Sequence, residues 1–160
     1  MAQDSKIDAL IVDADTNRRM RLKNATAAQH QFGDVVMTQS LDSAVERLAG
    51  MKSCIVAFLS SEFPQTQVST FIQKAKSLPA GSDCAYISVL AVQHQTSSDV
   101  AMGIMNGLDA MLKEPFSADS LLVIAELAQQ ISDERRAERE AAAVRFLVTD
   151  LLSRLGETAR

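Results

Sequence analysis

Three apolar runs of this chain end in groups that could do chemistry. LIVDADTNRRM carries Asp13 and Asp15, CIVAFLSSEFP carries Ser60, and GLDAMLKEPF carries Lys113 and Glu114 ahead of Pro115. Carboxylates gathered at strand ends suit Mg²⁺, which takes an octahedral shell of oxygens and shares it with phosphate. Here the acids are too few. Position 14 is alanine, so Asp13 stands alone. Asp15 opens a helical pattern, where an N-cap is its commoner role. A serine hydroxyl needs a base to become a nucleophile, and no His, Lys or Asp near Ser60 in the sequence has that evident role. Glu114 would repel an anion, and strand alternation sends Lys113 to the opposite face unless a bulge intervenes. His94 is read as a solvated loop histidine, and His30 as a cation at a helix C-terminus.

These residues need a scaffold, and periodicity supplies one. Ile7–Val12, Asp34–Thr38, Cys54–Ser60, Cys84–Ala91 and Asp109–Lys113 are strand-sized and mostly apolar or β-branched. Between them, SLDSAVERLAGMK puts Leu41, Ala44, Val45, Leu48 and Ala49 on one helical face, with Ser40 as N-cap and Gly50 as stop. TNRRMRLKNATAAQHQFG, QTQVSTFIQKAKSLPAG and TSSDVAMGIMNG read the same way. Five strands separated by four helices imply an α/β fold: a doubly wound parallel sheet with right-handed crossovers. Such sheets place their sites at the carboxyl ends of the strands, where strand order reverses. Met102, Ile104, Met105 and Met111 are read as core filling.

After the fifth strand the pattern changes. SADSLLVIAELAQQI is a fifth amphipathic helix capped by Ser117, and no proline or glycine follows before Gly156. Ala137, Ala141, Val144, Val148, Leu151 and Leu155 recur at alternating spacings of four and three, a heptad seam. The step from Ile131 to Ala137 breaks phase, which predicts a bend or stutter between Ser132 and Arg136. DERRAERE is read as a solvated segment with supporting opposite charges. The exposed seam predicts a homodimer formed through this helix.

Composition narrows the function classes. The 160 residues are 47% apolar, with Asp+Glu 20 against Lys+Arg 16, enough for one core plus an appendage. A pI near 5.1 without a basic stripe disfavours nucleic acid. Cys54 and Cys84 have no CxxC partner and read as reduced core residues of a cytoplasmic protein. The N-terminus lacks a signal-peptide pattern, and no run approaches the ~20 apolar residues of a membrane span. DADTNRR is not a glycine-rich phosphate loop, so no cofactor is expected.

Together, the alternation, the strand-end segments and the GLDAMLKEPF ending resemble a response-regulator receiver domain of the CheY-like kind. The resemblance implies an acidic pair binding Mg²⁺, a phospho-accepting aspartate, a hydroxyl after strand four, and a lysine before a cis-proline. Carried over, those positions fall on Asp13 and Ala14, Ser60, Val92, and Glu114, with the switch aromatic at Met111. The expectation is a degenerate pseudo-receiver over residues 1–132, followed by a coiled-coil-like helical extension over residues 133–160. Its partners would be signalling proteins, and it would not be an enzyme, with neither metal nor cofactor. The alternatives are a regulator phosphorylated at an unconventional acceptor such as Ser60 or Asp13, or a small-ligand-binding flavodoxin-like domain.

Overall fold

The computed structural model describes residues 6–158; the outermost residues of both expected segments, 1–5 and 159–160, lie outside the described residues. The elements are β1 Ile7–Val12, α1 Thr16–Ala27, β2 Phe32–Thr38, α2 Leu41–Ala49, β3 Val56–Ser60, α3 Gln65–Lys76, β4 Ala85–Leu90, α4 Ser97–Met105, β5 Ala110–Lys113 and α5 Ala118–Thr158. The five strands are all parallel, in the order β2-β1-β3-β4-β5. The order reverses between β1 and β3, so the crevice above their carboxyl ends is where Asp13 and Ser60 emerge.

The central strands are buried on both faces because nearly every residue in them is apolar. All five residues of β3 and all six of β4 are buried. One layer of core joins Leu10, Leu59 and Tyr86 to Leu48 of α2 and Phe71 and Ile72 of α3. The other joins Ile11, Phe58 and Ile87 to Leu22 of α1 and Leu121, Ile124 and Ala128 of α5. Side-chain caps start α1, α2, α4 and α5, while α3 follows Pro64 without one. Asp15 accepts from the Arg18 amide, Ser40 from Ser43, and Ser117 and Ser120 bond each other's backbone amides reciprocally.

Several expectations are corrected. β2 starts two residues early, at Phe32, because that ring is buried in the core. Cys54 and Cys84 precede their ladders; both thiols are buried and free, 3.5 Å apart. Burial, with the neighbouring Cys54, pushes the Cys84 thiol up. His30 lies in the exposed turn after α1 rather than in the helix. Met102, Ile104 and Met105 are exposed, not core: Gly103 is the one buried residue of α4, leaving the longer side chains outside. Met111 is half-buried against the core.

No bend occurs between Ser132 and Arg136; α5 is one helix of 41 residues. Two arginines replace the apolar stripe where it loses phase. Arg135 reaches Asp109 with two guanidinium nitrogens, at 2.5 and 2.9 Å, and the Cys84 carbonyl at 2.6 Å. Burial opposes the Arg135 charge, but the hydrogen bond and the negative charge of Asp109, with Tyr86 and Cys84, together hold the guanidinium above its ordinary basicity. Arg139 forms a second two-pronged pair with Asp83, at 2.6 and 3.0 Å. Gln129 bonds Asp133 and Gln130 bonds Glu134, one turn on. From Arg136 to Thr149 every side chain is exposed.

Replacing Arg135 with alanine strands the half-buried Asp109. Unfolding free energy should fall by about 1–3 kcal/mol, with faster amide exchange over residues 132–140. Arg139 holds the Asp83 carboxyl below the usual carboxylate range. The stability this adds is present above that range and lost as pH falls through the lowered value. Asp83→Asn should therefore flatten the acid limb of a stability–pH profile.

Candidate functional site

The crevice at the carboxyl ends of β1 and β3 is filled by an arginine of α1. Asp13, 5% exposed, immediately follows β1. Arg18 donates from Nε to one carboxylate oxygen of Asp13 at 3.0 Å and from Nη2 to the other at 2.9 Å. The Asp15 amide donates a third bond, at 2.8 Å. The same Nη2 lies 2.6 Å from Glu62, in the turn after β3. Arg19 donates to the Asp13 carbonyl at 2.7 Å. The Asp13 bond outweighs the opposing effect of burial and, with Glu62, raises Arg18 beyond even its ordinary basicity.

Local sequence explains why this arginine arrives there. Asp15 fixes the first turn of α1 by capping the Arg18 amide, which places residue 18 over the β1 exit. Arg21, three residues on, shares that face and reaches Glu114 at 3.4 Å. Each acid at the strand ends thus has an arginine of α1 as its counter-charge.

Ser60 is 5% exposed, and its hydroxyl accepts from the Glu62 amide at 3.2 Å. It lines a cavity with Asp13, Arg18, Phe58, Glu114 and Phe116 whose volume is about 10 Å³. That is at or below the space one water molecule needs. The structure therefore brings Asp13, Ser60 and Glu114 together, and leaves out the other expected positions. Ala14 is exposed and does not line the cavity. Val92 sits in a short 3-10 turn, Val92–His94, and is 69% exposed, because the chain turns outward after β4. Lys113 is exposed while Glu114 lines the cavity, as strand alternation requires. The Glu114–Pro115 peptide is cis. His94 is half-buried rather than solvated: its Nδ1 lies 2.9 Å from the Ser61 hydroxyl, which also accepts from the Ala91 amide.

Mg²⁺ does not fit this arrangement. Both Asp13 oxygens face a guanidinium, Ser60 and Ala14 supply no carboxylate, and Glu62 is turned to the same arginine. Among the described residues, no group of three or more His, Cys, Asp or Glu side chains could hold a metal ion. Arg18, Arg21 and Glu62 were missed by sequence reasoning. The available signal was the dense NRRMR run that begins four residues after Asp13.

No family model and no curated protein sequence matches this chain. Solved structures do. A CheY-like response-regulator receiver domain protein from Methanospirillum hungatei superposes with a TM-score of 0.62 at 19% identity, over 84% of this chain and 99% of that one. The signal receiver domain of an HD domain-containing protein from Pseudomonas fluorescens gives 0.66 at 15% identity, over 81% and 98%. This chain has the receiver fold. An adenylate cyclase from Rhodopirellula baltica is also similar, at 0.67 and 17% identity over 86% and 98%; at such identities the likeness is one of fold.

Within this receiver fold, Arg18→Ala leaves the Asp13 carboxylate buried without its partner. Chemical denaturation should show a loss of about 1–3 kcal/mol, whereas Arg21→Ala, removing a largely exposed partner of Glu114, should cost under about 1 kcal/mol.

Proposed function

We propose that this protein is a pseudo-receiver: a phosphorylation-independent protein-interaction module of a bacterial signalling pathway, held as a homodimer by its C-terminal helix. The observation that carries this reading is Arg18. Its guanidinium occupies both oxygens of Asp13 and reaches Glu62, so the side chain of α1 stands where a receiver would gather a metal ion and a phosphoryl group. Ser60 adds no carboxylate nucleophile, and Glu114 presents negative charge to the same cavity.

Surface and seam support the rest. Met102, Ile104 and Met105 give α4 an exposed apolar face suited to an adaptable protein contact. The mildly acidic chain offers no basic stripe for nucleic acid. Val144, Val148, Leu151 and Leu155 are 49–65% exposed along one side of α5, an apolar stripe that a second helix would cover. Two buried free thiols suit a reducing cytoplasm, and no helix among the described residues is long and apolar enough to cross a membrane. Asp13 and Glu114 both line the crevice, but each is engaged by an arginine of α1, and the protein acts by binding.

Incubation with acetyl phosphate and Mg²⁺, read by intact mass, should leave the protein unmodified. A stoichiometric phosphoryl adduct at Asp13 or Ser60 would overturn the reading in favour of an unconventional acceptor.

A further inference from the structure

We infer that the C-terminal helices of two copies pair in parallel and in register, with the receiver bodies on the outside. This rests on the homodimer just proposed and fixes its geometry. In the seam, Ala141, Val148 and Leu155 take heptad position a, and Ala137, Val144 and Leu151 take position d. The flanking positions are then Glu140, Leu147 and Arg154 at g, and Arg145 and Leu152 at e. In a parallel pair each g residue meets the e residue five positions later on the other helix. Glu140 therefore faces Arg145 of the second copy, and Leu147 faces Leu152, each contact occurring twice. Leu147 and Leu152 are 60% and 63% exposed in the single chain, and a seam of a and d positions alone would leave them so.

The body's attachment points the same way. Arg135 and Arg139 hold α5 against Asp109 and Asp83. At about 100° per residue, those two arginines lie roughly opposite the mean direction of the seam. The seam therefore faces away from the chain's own body, and a two-fold axis along it sets the two bodies on opposite outer sides. An antiparallel pair covering the same seam would place each helix end, at Leu155, beside Ala137, just where the clamp to the body begins. It would also leave Arg145 facing Leu152. Phe146, 73% exposed, projects on the side of the clamp and takes no part.

The experiment uses the full chain. Sedimentation equilibrium of Glu140→Arg and of Arg145→Glu should each show dimer association weakened at least tenfold, and the double charge swap should restore it. In parallel, Ala141→Cys should form an intermolecular disulfide quantitatively under mild oxidation, the native Cys54 and Cys84 being buried. Rescue together with cross-linking supports the parallel register. A stable dimer that shows neither overturns the register while leaving the homodimer intact. A wild-type chain that is monomeric at high concentration overturns both, whether or not the free helix then binds vesicles.

Discussion

The strand-end crevice depends on one ion pair, Arg18 with Asp13. A buried carboxylate without compensation is costly, and Asp13, with alanine at position 14 and Glu114 before Pro115, must be neutralised from elsewhere. Arg18 does this with two hydrogen bonds and a geometry that matches the carboxylate fork. The same guanidinium draws in Glu62 from the turn after β3, so α1, β1 and β3 are tied at the point where strand order reverses. The consequence is that the space between Asp13, Ser60 and Glu114 closes to about 10 Å³, and its charges are paired from within.

The opposite end of the sheet is organised by a second set of arginines. Arg135 and Arg139 bind Asp109 and Asp83 at the entry to β5 and β4, and there they set the direction in which α5 leaves the body. One helix thus starts two residues after Phe116, which lines the crevice, and runs across the apolar layer of Leu121, Ile124 and Ala128 and out past the far edge. Its two ends serve different needs: the first half completes the core, and the last offers an uncovered apolar side. A partner that moved α5 at its base would move the whole strut, since no glycine or proline interrupts it before Gly156.

Much of the fold was legible because it rests on local signals. Unbroken apolar runs mark β3 and β4, side-chain caps mark α2 and α5, and the strand-end segments lie where alternation puts them. What escaped did so for identifiable reasons. Cys54 and Cys84 extend the apolar runs without joining the ladders, so the predicted strands ran long. The phase break before Ala137 looked like a bend because the pattern records apolar residues alone, and there the packing passes to Arg135 and Arg139. Met102 and Met105 carry no mark separating a core methionine from an exposed one. At the crevice, Asp13, Ser60 and Glu114 were readable as strand-end residues, but the arginine that joins them was not. An arginine five residues along the chain from Asp13, and 44 from Glu62, is brought to both only by the pairing of β1 with β3. Val92 failed differently: an ungapped count could not foresee the turn that carries it outward.

The central claim is that Arg18 serves as the resident cation of this crevice. The most direct measurement is an Mg²⁺ titration into the millimolar range, followed through the backbone amide resonances of Asp13, Ser60 and Glu62. No saturable shift is expected in the wild-type chain. A saturable shift centred on Asp13, with release of the Arg18 side-chain resonances, would contradict it.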